Sequence, residues 1–533
     1  MAKNKKITLF PIIALSFIVV LIFRPILANL IGSKGVAYFG VSNEMFFLVV
    51  VSATIAIEKS VSTMIENRIA RQQYDNASRV IKAGFIVTAF ISVLITIVLY
   101  VMSETICLKW FEEPLSLMGF KYMLISVVFF AMGGLIRGFF TGYGNRGIAI
   151  QSYIIFSVSF VIFGSVLSKV MSNYGAKVST LLRLNDYEYS YGAAGASIGL
   201  VIASFLVFAH ALVCFVLFSK RTVFGQSREY NKSYESIMSA AVSVLLNGLV
   251  SFGITLSIFA MSFMNCIVIL SQDIDKNVLA YTFGEYYGKA FPLCFIVIVL
   301  IGIASYELIR RSVRFIRRGE NRSSRECLNL LIHRGITLAC LAMALLIVLS
   351  SDMIDTFFSN NGTDTALYLQ IEAIIIAFAA MAVICGRILL QLKYERVLLI
   401  GCGIGMVIHI IVIIISKSSG IWGAIIADII SAMLICVISF FVVCRCFQYT
   451  QEWFRSFVVS FLGALITGIV VMLLNKLMLT FANSLISLIV SSVLGAFVYM
   501  IIILLLKGYS IEELENSAVG RFMIIIGRTF KLL

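Results

Sequence analysis

The stretch Phe283–Glu320 reads FGEYYGKAFPLCFIVIVLIGIASYELIRRSVRFIRRGE. Glu285 and Lys289 stand near its start, on an otherwise apolar run that continues to Ser305 with Pro292 inside. A membrane-spanning helix needs roughly 20 apolar residues, and Val278 to Ser305 supplies that length. An acid and a base four residues apart lie on one helix face and can pair. Ionisable groups at membrane depth are costly, so they face protein or a polar cavity and mark candidate functional positions. Arg310, Arg311, Arg314, Arg317 and Arg318 follow at once. Such a cluster crosses a bilayer with difficulty and marks the cytoplasmic end of the span. Class, orientation and a candidate site are all predicted from this one stretch.

The rest of the chain agrees with the class. Of 533 residues, 60% are hydrophobic and 13% charged, and the mean hydropathy is +1.02. The apolar residues come in long blocks with short polar breaks, which implies an all-α polytopic membrane protein. The opening MAKNKK and its apolar run resemble a signal peptide. Arg24-Pro25, the lack of a small-residue cleavage site and the many similar runs that follow favour a retained first helix. The eleven cysteines are scattered, mostly in apolar runs, and His210, His333 and His409 are far apart in sequence. Neither a metal nor a disulfide framework is expected.

The net charge of +15 is distributed unevenly. Of the 42 Lys and Arg, 31 fall in alternate loops and tails or at the span ends beside them, 9 in or beside the others, and 2 deep within spans. That is the positive-inside pattern, and anchoring to anionic headgroups accounts for the basic balance without nucleic acid. Spans are expected near 7–31, 36–58, 82–103, 118–140, 147–171, 192–218, 237–270, 278–305, 330–350, 365–388, 396–416, 420–444, 456–475 and 484–506. The 34 residues of 237–270 are counted as one long or broken helix, because the surrounding loops then alternate correctly. About fourteen spans place both termini inside.

An internal repeat organises these spans. Arg137 and Arg146 bracket GFFTGYGN, and Arg387 and Arg396 bracket ILLQLKYE, both pairs offset by 250 residues. GAAGASI at Gly192 and GIWGAII at Gly420 share the pattern G-x-x-G-A-x-I, and AYFG at Ala37 has a weaker echo in AYTFG at Ala280. The matches keep one order, which predicts two six-helix lobes around a central cavity. The expected domains are an N-terminal lobe over 1–218, a cytoplasmic linker over 219–236, a C-terminal lobe over 237–446, and two further helices with a cytoplasmic tail over 447–533.

With these landmarks in place, the sequence resembles the multidrug/oligosaccharidyl-lipid/polysaccharide exporter superfamily. YYGKAFPL at Tyr286 is similar to the eighth-helix signature of its stage V sporulation protein B and polysaccharide flippase branch. FRPILANLIGSKGVAYFG at Phe23, RGFFTGYGN at Arg137 and GIWGAIIADIIS at Gly420 also look like family landmarks. Asn265 stands about where relatives often carry an acid. The resemblance implies lobes that open alternately inward and outward around a central cavity.

Six charged residues lie about two turns or more from the ends of the expected spans: Arg24, Lys289, Glu44, Glu285, Glu372 and Asp428. A diphosphate headgroup needs cations held away from bulk water, and Arg binds it in bidentate fashion. Arg24 and Lys289 are therefore expected to bind substrate, with Glu285 as the neutralising partner of Lys289. The competing reading for Arg24 is a side chain snorkelling to the headgroups. Glu44 is a further candidate at the substrate site. Tyr286 and Tyr287 either stack on sugar rings or form an interfacial aromatic belt. Glu372 and Asp428 are the expected ion-coupling residues, for Na+ or H+. No P-loop, HExxH or nucleophile elbow is present, so no enzyme is expected and no cofactor beyond the coupling ion.

The function expected is translocation of a polyprenyl-diphosphate-linked saccharide, or a related envelope-glycan precursor, across the bacterial plasma membrane. The expected partners are the lipid-linked saccharide, the bilayer, and a glycan polymerase or glycosyltransferases. A cation-coupled multidrug exporter is the alternative, against which Arg24 and Lys289 count. A membrane-embedded transferase acting on lipid-linked sugars ranks lower, because the longest outside loop, 172–191, offers only Asp186 and Glu188.

Overall fold

The computed structural model describes residues 9–183, 186–221, 235–359, 361–450 and 452–509, with 513–514, 520–521 and 524–525 of the tail. Most of the expected linker, and Arg528 and Lys531 of the tail, lie outside the described residues. Among the described residues the regular structure is helical: α1 (Leu9–Met45), α2 (Ser52–Ala70), α3 (Tyr74–Glu104), α4 (Leu117–Tyr143), α5 (Arg146–Leu182), α6 (Tyr187–Arg221), α7 (Ile237–Leu270) and α8 (Lys276–Glu285). They continue with α9 (Phe291–Arg317), α10 (Asn321–Phe357), α11 (Thr365–Glu372), α12 (Ile375–Gln391), α13 (Glu395–Ile415), α14 (Ile421–Phe447), α15 (Val459–Leu479) and α16 (Ser484–Leu505). Short π-helical turns join α1 to α2 and α8 to α9.

Among the described residues, twelve helical runs are long and apolar enough to cross a membrane, and a bent pair makes thirteen. One of the twelve, Leu9–Ala70, has 62 residues. At 1.5 Å per residue it would reach about 93 Å, three times the hydrocarbon core. Its helix is broken at Gly32, with φ 70° and ψ 172°. Glycine adopts that backbone without steric cost. Dividing the run there and counting the bent pair as one span gives the fourteen expected. Pro25 does not end α1, which continues past it to the Gly32 break. Residues 237–270 form one helix, as the loop alternation required. The basic cluster lies between the expected spans 278–305 and 330–350, yet it is helical. It belongs to α9, which runs on to Arg317 before Gly319 turns the chain at φ 76°.

Two compact units divide the chain. The first comprises Met1–Gly288 and His409–Ala424, the second Lys289–Ile408 and Ile425–Leu533. This division by packing cuts the chain elsewhere than the repeat does, because α7 and α8 pack with the first unit. Ser60 Oγ of α2 donates to the Val244 carbonyl of α7 at 2.6 Å, and Gly248 of α7 sits on the Ala56 backbone. α2 and α4 approach more closely still. A Cβ on Gly138 would lie 2.6 Å from the Glu58 carbonyl oxygen, and one on Gly142 2.5 Å from that of Ser62. Small residues at four-residue spacing permit this contact, which maximises dispersion where lipid removes the hydrophobic driving force. Around it, Phe139 meets Phe215 edge-on at 5.2 Å within a cluster of buried and half-buried rings.

In the second unit, α9, α10 and α12 pack together, and α15 and α16 dock on α10. Leu349, Val471 and Leu488 form that seam. Asn475 donates to Asp352, and Tyr499 Oη reaches the carbonyls of Thr337 and Ser460, both at 3.1 Å. These bonds satisfy polar groups that lipid cannot. α11 and α12 are bent by 45° across two residues. The tail is held at Glu513, which accepts from Arg455 Nη2 at 2.6 Å.

Candidate functional site

In the first unit, α1 carries both Arg24 and Glu44, on either side of its break at Gly32. The break lets two residues 20 apart meet: Arg24 Nη2 donates to Glu44 Oε1 at 3.1 Å. Tyr287, from the π-helical turn after α8, completes the group. Its hydroxyl donates to the same carboxylate oxygen at 2.5 Å and accepts from Asn43 Nδ2 at 2.8 Å. The Arg24 guanidinium lies 3.9 Å from the Tyr287 ring centroid, and Phe283 stacks on that ring at 5.1 Å. Arg24 is 7% exposed and Glu44 1%. Arg24 therefore does not snorkel to the headgroups. It is a buried cation neutralised by a carboxylate and covered by an aromatic face, an arrangement that favours Arg over Lys.

Tyr286 and Tyr287 are both enclosed by protein, so they do not form an interfacial belt, and Phe283 and Arg24 occupy the Tyr287 ring. Gly40 admits this packing, since a Cβ there would stand 3.2–3.3 Å from Phe283 and Tyr287. Glu285 is buried and accepts from the Ser33 hydroxyl, beside the Gly32 break. The sequence paired it with Lys289. In the second unit, Lys289 donates to Asn361 Oδ1 at 3.1 Å and lies 5.5 Å from the Phe358 ring centroid. Glu372 is fully buried and ends α11 at the bend. Asp428 is buried on α14, where its carbonyl accepts from Ser431 Oγ.

A second charged cluster escaped sequence reasoning. Arg137 of α4 donates from Nε to Glu58 Oε2 of α2 at 3.1 Å, and Tyr153 Oη of α5 contacts both Glu58 oxygens at 2.9 Å. The Arg137 guanidinium stands 4.6 Å from the Tyr153 ring centroid, and its side chain is 2% exposed. The sequence placed both charges with the inner-side groups near helix ends. The repeat match at Arg137 was the available signal. Similarly, Asn265 of α7 meets His409 Nε2 at 2.9 Å, both side chains buried, although 144 residues separate them.

With this geometry in view, comparison with known proteins is informative. A family model described as MatE matches residues 11–170. Stage V sporulation protein B of Bacillus subtilis (strain 168) is 19% identical over 515 residues, spanning 94% of this chain and 95% of that one. These matches agree with the resemblance to the multidrug/oligosaccharidyl-lipid/polysaccharide exporter superfamily. The fold is shared with solved structures. A lipid II flippase MurJ in an inward closed conformation aligns with TM-score 0.67 and 17% identity, over 93% of this chain and 98% of that one. An inward-facing multidrug resistance MATE family transporter aligns with TM-score 0.66 and 14% identity, over 82% and 98%. The chain has the spans of a multi-pass membrane protein, and the proteins it resembles are named as a transporter and a flippase rather than as enzymes.

Proposed function

We propose that this chain translocates a polyprenyl-diphosphate-linked saccharide, a precursor of an envelope glycan, across the plasma membrane by alternating access. The observation that carries the reading is an apolar cavity of about 550 Å³ in the second unit, walled by α10, α12, α14, α15 and the turn that opens α15. Ile336, Met381, Phe440, Trp453, Phe457 and Phe461 line it, and its other lining side chains are also hydrocarbon, aromatic or sulfur. Ligand pockets usually place a few polar groups among their apolar walls to orient a polar ligand. A wall without them suits a hydrocarbon chain. Taken by itself, the first unit holds the buried Arg24 against Glu44 and Tyr287, chemistry that suits an anionic headgroup. A diphosphate can exchange with Glu44 as the counter-ion of Arg24. Glu372, at the α11–α12 bend, and Asp428 are the groups that would couple Na+ or H+ to the movement of the two lobes. The charge pattern supports cytoplasmic termini.

The test fills the cavity. Ala377→Trp and Ala339→Trp place an indole where the chain would lie. Each variant, with its protein level checked, is assayed in proteoliposomes for translocation of a polyprenyl-diphosphate-linked saccharide. A loss of at least about tenfold is expected, equivalent to about 1.4 kcal/mol. Wild-type rates in both filled variants refute a role for the cavity. The MatE match to residues 11–170 supports the second reading, a cation-coupled multidrug exporter. Extrusion of a lipophilic cationic dye, with no movement of lipid-linked saccharide, would establish it instead.

A further inference from the structure

At the end of the first unit that the charge pattern assigns to the outside, four chain reversals meet: the Gly32 break, the α3–α4 turn, the start of α6 and the start of α8. Two ion pairs tie them together. Lys34 donates to Asp186 Oδ1 at 3.1 Å and to Asn277 Oδ1 at 2.7 Å. Lys276 donates to Glu112 Oε2 at 2.6 Å and to the carbonyls of Leu270 and Gln272 at 3.1 Å.

Glu113 lies among these four charged groups as a third carboxylate. It is 3% exposed, and its Oε1 receives no hydrogen bond among the described residues. The turn holds it inward. The Glu113 amide donates to the Cys107 carbonyl at 2.8 Å, Ser116 Oγ donates to the Glu113 carbonyl at 2.6 Å, and the neighbouring Phe111 is buried against Phe263. Each ammonium already serves another carboxylate, so ionised Glu113 leaves the cluster one negative charge in excess. A buried carboxylate in that position costs several kcal/mol and is relieved by a proton or a metal ion. Among the described residues, no group of three or more His, Cys, Asp or Glu is arranged to hold a metal ion. The two ammoniums also oppose a further cation.

We propose that Glu113 is a proton-binding site, which takes one proton from water at the outer face and holds it between the Lys34–Asp186 and Lys276–Glu112 pairs. The carboxylate oxygen gains the proton, and no other bond in the protein changes. Burial raises the carboxyl to about 8. Lys276 and Lys34 oppose the rise, while Asp186 and Glu112 add to it. The proton therefore exchanges close to neutral pH. Its charge is felt deeper in the unit: Tyr38 of α1 interacts electrostatically with Glu113 and Asp186, and Cys266 of α7 with Glu113, Glu44 and Arg24. On the proposed function above, protonation removes a negative charge on the approach to the Arg24 site and favours an anionic headgroup there.

The test reads the proton itself, so it stands or falls separately from the transported substrate. The full chain in nanodiscs is titrated from about pH 6 to about pH 10, and the protonated-carboxyl C=O band is followed by infrared difference spectroscopy. A band lost with a midpoint near 8, and missing from Glu113→Gln, is expected. Glu112→Gln should shift the midpoint down and Lys276→Met should shift it up, and these variants decide the matter if Glu113→Gln does not fold. The absence of such a band at about pH 6, or a midpoint that ignores both neighbours, overturns the proposal. Loss of the band on adding Na+ at fixed pH also overturns it, in favour of a metal ion.

Thermal unfolding gives an independent check of sign. Between 4.5 and about 8 the native carboxyl keeps a proton that the unfolded chain has lost. Stability from this group must therefore fall as pH rises through that window and level off above it. Glu113→Gln should remove that one-proton slope. A wild-type slope of the opposite sign, with Glu113→Gln unable to change it, counts against the site.

Discussion

Removing one partner of the Arg24–Glu44 pair separates its structural role from its role in transport. The 3.1 Å contact corresponds to a gross attraction of about 5 kcal/mol at an effective dielectric of about 20. Breaking a buried pair leaves the surviving charge without its counter-ion and costs about 3–5 kcal/mol. Arg24→Ala is therefore expected to destabilise the protein by about that amount, because Glu44 would keep Tyr287 as a donor but lose its cation. Arg24→Met combined with Glu44→Gln removes both charges, and the glutamine carbonyl can still accept from the Tyr287 hydroxyl. Most of the stability should return in the double variant, since well-packed neutral replacements of buried pairs are often no less stable. Transport should not return, because the guanidinium that would meet the diphosphate is gone. Arg24→Lys keeps the charge but loses the planar stack on Tyr287, so it should fall between wild type and Arg24→Ala. Unfolding in detergent, followed by circular dichroism, measures the first quantity. Translocation in proteoliposomes measures the second, with a loss of one to two decades expected from a charge-assisted contact of about 1.5–3 kcal/mol. Wild-type transport by the double variant would show that the pair only holds α1 together, and the substrate assignment would be wrong.

Two further outcomes follow from the charge pattern and the buried acids. A cysteine replacing the exposed Arg318 should resist an impermeant thiol reagent applied to intact cells, whereas one replacing the exposed Lys177 should react. The reverse labelling would invert the topology, including the outer placement of Glu113. Asp428→Asn or Glu372→Gln should abolish the dependence of transport on Na+ or pH if that residue binds the coupling ion. Unchanged ion dependence in a folded variant removes it from the mechanism.

Hydropathy is a local property, summed over about 20 consecutive residues, and the span pattern needs nothing more. For that reason the sequence alone determined the helical class, the fourteen spans and the single long helix at 237–270. It also found the intramembrane charges, because any Arg or Glu inside an apolar run is conspicuous. Partners are another matter. Tyr287 reaches Glu44 across 243 residues and Arg137 reaches Glu58 across 79, and no spacing rule connects them. Arg137 and Glu58 sit near the ends of their expected spans, where charges ordinarily extend to water, so local reading counts them with the inner surface. Only close packing of α4 on α2, permitted by Gly138 and Gly142, seals them inside. Glu113 is the extreme case. It lies in a polar turn that reads as exposed, and three reversals distant in sequence close over it. Burial depends on which chain ends meet, and that was decided by the tertiary structure.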